Sequence, residues 1–439
     1  MKKVKRRASA ALLIAALLVV GLAVYLVRLA DDGGAWASYF NGGTPGGTIL
    51  DRNGVVLYTS GDDGYSFAED WSTRVACYHL IGDTAGNIRT GALRQFRDKL
   101  AGYNFIEGAT SGETISLTID SSLNVAAYSA LAGRNGAVML MDYTTGEILC
   151  MVSSPGDDPA NPTSEPAEGT YLNKCLSSSF TPGSVFKLVT LAAAIDNIPD
   201  LFERSLWCEG SMIVDGAKLT CTGNHGSQTI EQALANSCNC VYAQLAVELG
   251  GETLERYARS AGLLESHDVS GIPTAAGSFD VGADDSNVGW SGVGQYDDLL
   301  NPCSLMMLMG AIAGDGSAAE PSLIYQETSM NGLTLFDGSS SARSSIGWSA
   351  DTCRTLQDMM ANNVAKTYGQ SQFGSLAVCA KSGTAEVGTG SPHAWFAGFL
   401  NDSEHPLAFV VLVENGGGGA STAGPIAAKV LQQAVENFD

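Results

Sequence analysis

The stretch SSSFTPGSVFKLVT (177–190) sets Ser184 and Lys187 three positions apart at the start of a predicted helix. Pro182 and Gly183 mark the turn into it, and the apolar, Ala-rich run Leu188 to Ile195 continues it inward. Residues i and i+3 of a helix share a face, so the lysine amine can reach the serine hydroxyl and act as the base that a serine nucleophile needs. Ser184 also falls among the free N–H groups of a helix start, donors that suit a developing oxyanion. An isolated Ser-x-x-Lys is common by chance, so its partners decide its meaning.

Two further polar clusters follow. Ser237-Cys238-Asn239 falls at the junction of the helical segments around TIEQALANS (229–237), where side chains can be presented into a cleft. Alone, such a tripeptide reads as helix capping. Lys381-Ser382-Gly383-Thr384 lies inside the predicted strand SLAVCAKSGTAEV (375–387). A lysine followed by glycine is odd for a packed strand, and the glycine there points to close approach of another backbone or a ligand.

Outward from these clusters, GAVMLMD, the turn YTTG and EILCMVS (136–153) read as a hairpin of buried strands. AWFAGF and its continuation (394–400) and LAFVVLV (407–413) are strands, and PIAAKVLQQAVENF (425–438) is a closing helix. Between these ends lie helices at ETLERYARSAGLL (252–264) and PCSLMMLMGAIAG (302–314), the latter with Asn301 as N-cap and Pro302 at its first position. Met306, Met307 and Met309 read as core filler. Strands at both ends with helices between predict an α+β fold: one sheet assembled from distant parts, with a helical lobe beside it.

Upstream, GGTILDRNGVVLYTS (46–60) is a hairpin around Asn53-Gly54, ALRQFRDKLAGYNF (92–105) has helical spacing, and ETISLTID (113–120) alternates like a half-buried strand. At the very start, Lys2, Lys3, Lys5, Arg6 and Arg7 precede an apolar run from Ala8 to Val27 that is long enough to span a bilayer. The basic cluster is expected on the cytoplasmic side, with the rest of the chain outside. The expected organisation is a tail (1–7), an anchor (8–28), a linker (29–45), a small α+β unit (46–130) and a large domain (131–439). The chain has 439 residues and a net charge of −22, which argues against nucleic acid or an anionic membrane surface as a partner of the folded part. Its ten cysteines and five histidines show no Cys-x-x-Cys and no ligand spacing, so no metal is expected. Cys208 and Cys221 flank a hairpin-like EGSMIVDGAKLT, so a disulfide is expected across it.

In this order, Ser-x-x-Lys, Ser-x-Asn and Lys-Ser-Gly match the motif set of penicillin-recognising acyltransferases. The chain resembles the class B penicillin-binding proteins over nearly its whole length. The resemblance includes DYTTGEILCMVSSPGDDPANP (142–162), Asn173, His225-Gly226, GVGQ (292–295), NPCSLMMLMGAIAGDG (301–316) and AWFAGF (394–399). GGTILDRNG resembles the Arg-Gly-x-Ile-x-Asp-Arg-x-Gly signature of the class B N-terminal unit, with Gly46 in place of Arg. Ser382 replaces the commoner Thr of the third motif and keeps the hydroxyl.

The resemblance implies the penicillin-binding/β-lactamase-like fold and a peptidoglycan D,D-transpeptidase that β-lactams inhibit covalently. It implies Ser184 as nucleophile, Lys187 as base, Ser237 as proton relay, Asn239 as holder of the donor amide and Lys381 as a source of positive potential. Ser382, Gly383 and Thr384 would bind the donor carboxylate, and the main-chain N–H groups of Ser184 and Thr384 would form the oxyanion hole. No cofactor is implied. About a hundred residues ahead of the large domain cannot hold a glycosyltransferase, so a membrane glycosyltransferase is the expected partner. Rival readings are a class D-like β-lactamase, a D,D-carboxypeptidase, a β-lactam sensor and a non-catalytic scaffold. No Glu-x-x-Leu-Asn follows the second motif, and a seven-residue tail leaves no room for a sensor's output domain.

Overall fold

A computed structural model describes residues 2–31, 46–61, 64–100, 103–104, 108–109, 112–282, 284–329, 332–338, 342–388 and 390–438. Strands from the two ends of the large domain meet in one sheet. β1 (Gly136–Asp142) and β2 (Ile148–Ser154) come from its beginning, and β3 (Val378–Ala385), β4 (His393–Leu400) and β5 (Leu407–Val413) from its end. Their order is β3-β4-β5-β1-β2, antiparallel throughout. β1, β2 and β5 are buried at every position, so both faces of the sheet must be covered.

Helices α1 (Ser121–Leu131), α5 (Pro302–Ala313), α6 (Ala350–Asn363) and α7 (Gly424–Phe438) supply the cover, while α2 (Lys187–Asn197), α3 (Ile230–Ala235) and α4 (Asn239–Leu249) build the helical lobe. Side chains alternate along each strand, which sorts them between two cores. Ala137, Met139 and Met141 pack with Leu305, Met306 and Met309 of α5 and with the helical lobe. Val138 and Leu140 pack with Leu123 of α1 and Leu431 of α7. Asn301 caps α5 as expected, its side chain accepting from the N–H groups of Cys303 and Ser304. Met306 and Met309 are core residues, and Met307 packs at its edge.

The small unit is less self-contained than its sequence suggests. Gly47–Leu50 and Val56–Gly61 form the expected hairpin, and Thr114–Leu117 pairs in parallel with the first of these strands. The other edge of Thr114–Leu117 is covered by Ile324–Thr328, which carries Thr334–Asp337 outside it. An uncovered edge leaves main-chain groups unpaired, and a distant segment satisfies them here. Helix α1, assigned above to the small unit, packs against Trp71–Ala76 of that unit and also against α7 and β2 of the large domain. The segment 92–105 forms two single turns, Ala92–Gln95 and Arg97–Leu100, broken at Phe96, and residues 101–102 and 105 lie outside the described residues.

The N-terminal helix Lys2–Asp31 contains the span Lys3–Val27, the one helix among the described residues long and apolar enough to cross a membrane. Of the expected linker, residues 32–45 lie outside the described residues.

Candidate active site

Three main-chain segments approach each other more closely than side chains would allow. Ser184 lies in the 3-10 turn Gly183–Val185, and the α-helix begins only at Lys187. Gly183 has φ +55, and a Cβ there would lie 2.6 Å from the Thr384 carbonyl oxygen. Its N–H donates to the Gly294 carbonyl at 2.8 Å, and a Cβ on Gly294 would lie 2.0 Å from the Gly183 oxygen. Glycine at 183 and 294 therefore brings the serine turn against β3. Gly383 has the same function from the other side, since its Cβ would meet the Pro182 carbonyl at 2.8 Å. The close approach expected of a glycine inside this strand is what the structure contains.

Ser237 occupies the short link between α3 and α4 in a left-handed conformation, φ +51. Asn239 opens α4, and Lys187 reaches both from the first turn of α2. Lys187 Nζ donates to the Ser237 carbonyl (2.6 Å), the Ser237 hydroxyl (3.2 Å) and Asn239 Oδ1 (2.7 Å). Lys381 Nζ donates to the same hydroxyl at 3.0 Å and to the Ser382 carbonyl at 2.9 Å. Both lysine residues are 0% exposed, and neither has an ion-pair partner among the described residues. Burial, reinforced by the positive charge of Lys381, drives the Lys187 amine well below the usual lysine range. Burial alone pushes Lys381 down to about 7.

On β3, Lys381 and Gly383 are buried while Ser382 and Thr384 face outward at alternate positions. The Gly419 N–H donates to Thr384 Oγ1 at 3.3 Å. A cleft of about 610 Å³ runs between this strand and the lobe, and Ser184, Ser237, Asn239, Ser382 and Thr384 all line it. The three sequence clusters thus converge on one cavity.

Residues 136–432 match the family model described as the penicillin-binding protein transpeptidase domain. The chain belongs to this family. A peptidoglycan D,D-transpeptidase PbpA of Mycolicibacterium smegmatis is 26% identical over 370 residues, covering 77% of this chain and 74% of that protein. The PbpA of Mycobacterium tuberculosis is 27% identical over 386 residues, covering 78% and 76%. Among solved structures, the D,D-transpeptidase domain of a peptidoglycan glycosyltransferase from Eggerthella lenta is 27% identical with a TM-score of 0.78, covering 90% of this chain and 98% of that one. The ceftriaxone acyl-enzyme complex of penicillin-binding protein A from M. tuberculosis shares the fold at 24% identity, again with a TM-score of 0.78, covering 90% and 99%.

Sequence reasoning missed several residues of this cleft. Tyr368 is the clearest: its hydroxyl accepts from the Ser382 N–H (3.0 Å) and from Ser382 Oγ (3.1 Å). It arrives from a single π-turn, Val364–Tyr368, which has no local signature. Trp290, Tyr296 and Glu386 also line the cleft. GVGQ enters the sequence reading only through the resemblance, yet its Gly294 is what seats the Ser184 turn.

The cysteines correct two expectations. The hairpin Ser211–Val214 with Ala217–Thr220 forms around Asp215-Gly216, both at positive φ, as the sequence predicts. The disulfide across it does not: Cys208 and Cys221 are both free. Cys221 Sγ turns instead toward Cys238 Sγ, 3.8 Å away, and His225 Nδ1, 3.6 Å away. The argument from spacing that no ligand group exists fails as well, because folding gathers Cys208, Cys221, His225 and Cys238.

Proposed function

We propose that this protein is a D,D-transpeptidase that cross-links peptidoglycan stem peptides through an acyl-enzyme on Ser184. One observation carries the reading: two buried lysine amines, without an anionic partner, meet on one hydroxyl beside a nucleophile turn. Such a site favours the neutral form of its base and leaves room for a carboxylate that the protein does not provide.

Lys187 contacts two carbonyl oxygens, which only accept, and one hydroxyl, which can give or take a proton. A neutral amine serves both carbonyls with its two N–H bonds and keeps a lone pair for a proton. Lys187 takes the Ser184 proton as Oγ attacks the penultimate carbonyl of a D-alanyl-D-alanine donor. The N–H groups of Ser184 and Thr384 stabilise the resulting oxyanion, at about 3 kcal/mol per donor. Once Lys187 carries the Ser184 proton, Ser237 Oγ accepts from both lysines, so its own proton is free for the leaving amine, and Lys187 restores it. Asn239 holds the donor's amide, and the outward hydroxyls of Ser382 and Thr384 with Gly383 between them hold its terminal carboxylate, with Lys381 supplying the positive field. An amine of a second stem peptide then attacks the acyl carbonyl, forms the new amide and frees Ser184. A β-lactam enters as the donor does, its ring amide opening to the same ester.

The N-terminal helix would anchor the enzyme with its basic end in the cytoplasm and the cleft outside, beside a membrane glycosyltransferase that makes the glycan strands. The test is incubation of the full chain in detergent with a fluorescent penicillin, beside Ser184→Ala. Labelling that requires Ser184 and persists for many minutes supports the transpeptidase. Rapid loss of label would indicate a β-lactamase, and absence of label would leave only a scaffold.

A further inference from the structure

We propose that Cys208, Cys221, His225 and Cys238 form a tetrahedral zinc site that fixes the Ser237-Cys238-Asn239 segment against the neighbouring hairpin. The four ligand atoms lie within 4.8 Å of one another and come from three segments, with Cys221 and His225 in one loop. Cys208 ends the strand Leu206–Cys208, Cys221 follows Ala217–Thr220, His225 precedes Gly226–Gln228, and Cys238 is the N-cap of α4.

Two measured edges of the group fit one metal. Zinc bonds of about 2.3 Å to sulfur and about 2.05 Å to nitrogen, opened to a tetrahedral angle, separate two sulfurs by about 3.8 Å and a sulfur from a nitrogen by about 3.6 Å. The structure has Cys221 Sγ 3.8 Å from Cys238 Sγ and 3.6 Å from His225 Nδ1. A disulfide needs about 2.05 Å between two sulfurs and leaves a third thiol and an imidazole with no reason to be there. Three thiols and one imidazole in a closed group suit zinc, whereas hard divalent cations take oxygen ligands.

The surroundings are those of a thiolate site. The N–H of Asn239 donates to Cys221 Sγ at 3.2 Å and that of Gly210 to Cys208 Sγ at 3.4 Å. Such donors favour sulfur in its anionic form and orient it toward a cation. Cys208 and Cys238 are buried, while Cys221 and His225 are partly accessible and give an ion a way in. Binding would release up to three thiol protons to solvent and leave a closed, non-catalytic centre.

Its position gives it a use. Cys238 is the middle residue of the motif whose two neighbours receive all three hydrogen bonds of Lys187. Ser237 is held at positive φ without being glycine, a conformation that persists only where its surroundings fix it. A metal bond at the next residue does so, which makes the four ligands positioning residues for the second motif.

The test is the zinc content of the full chain in detergent, produced in zinc-supplemented medium, desalted and measured by plasma mass spectrometry. About one zinc per chain is expected, falling at least fivefold in His225→Ala and in Cys238→Ala, while Cys353→Ala, buried elsewhere, keeps it. Should Cys238→Ala fail to fold, His225→Ala alters only a partly accessible side chain, and His225→Cys should restore the metal as a four-thiolate site. Cobalt substitution adds a readout independent of zinc: the wild type should gain a thiolate charge-transfer band that His225→Ala weakens. A wild-type chain without zinc, whether its ten cysteines titrate as free thiols or peptide mapping shows Cys221 bonded to Cys238, overturns the proposal. Penicillin labelling is not used in this readout, so a failure here leaves the acyl-enzyme reading standing.

Discussion

The Ser237–Asn239 segment separates two clusters of opposite chemistry. On one side lie Lys187 and Lys381, fully buried and joined only to carbonyl and hydroxyl oxygens. On the other lie three thiols and an imidazole, with main-chain N–H groups pointing at the sulfurs. The first is a group of potential cations without an anion, and the second a group of potential anions without a cation. Burying either unpaired costs several kcal/mol, so each needs a counter-charge from outside. In the proposed reaction the anion on the lysine side comes and goes with each turnover, and depressed amine pKa values allow the wait. On the thiol side nothing needs to leave, and a permanent ion suits it.

The largest effect tests whether the lysine side is chemical at all. Ser184→Ala should reduce acylation by fluorescent penicillin more than about 10⁴-fold with unfolding temperature unchanged. Lys187→Met fills the same buried space without a base and should lower the acylation rate about 10³-fold. Its stability should change little, because exchanging a buried cation for an apolar chain offsets the loss of its hydrogen bonds. A loss of less than tenfold would remove Lys187 from proton transfer.

The next effect separates the two lysines by pH. Lys381, at about 7, is charged below that value and neutral above it. Lys187 is also held well below the usual lysine range, by burial and by the charge of Lys381. Second-order acylation by an anionic β-lactam should therefore fall as pH rises above about 7, approaching tenfold per unit, as the positive field fades. Stopped-flow acylation between pH 6 and 9 measures this, and a flat profile would assign the field elsewhere. Removing zinc by a thiol reagent or by His225→Ala should cost less, about tenfold in acylation with Ser184 intact. A larger loss would mean that the thiol side does more than hold the segment.

The same comparison marks where the sequence is legible. The lysine side has local signals: Ser184 and Lys187 stand three positions apart across the turn into α2, and Lys381 and Gly383 stand out in an apolar strand. The strands of the main sheet are also local, since continuous apolar runs such as 136–142 and 407–413 predict burial on both faces. The thiol side has no periodic signal: Cys221 and His225 share one loop, but Cys208 and Cys238 come from two other segments that only tertiary packing brings to it. The pairing of Ile324–Thr328 with Thr114–Leu117 is hidden for the same reason. Sequence spacing put the Lys187 amine within reach of the Ser184 hydroxyl, whereas its hydrogen bonds go to Ser237 and Asn239, a direction fixed by the packing of α2 against α4.

The smallest predicted effect concerns Tyr368, which the sequence did not mark. Its hydroxyl accepts from both the N–H and the Oγ of Ser382, while Lys381 holds the Ser382 carbonyl. Ser382 is thus fixed at main chain and side chain before a carboxylate arrives. Burial raises the Tyr368 pKa, so the phenol stays neutral and does not oppose the incoming anion. Tyr368→Phe keeps the ring, which packs edge-on against Phe396, and removes only the oxygen. The Ser382 N–H then loses its acceptor and the hydroxyl its fixed rotamer, at about 1 kcal/mol, or about fivefold in binding. A positioning residue places this loss in the affinity for the β-lactam and leaves the acylation rate of the bound complex unchanged. Saturation kinetics separate the two, and a fall in the bound-state rate would put Tyr368 on the lysine side of the chemistry.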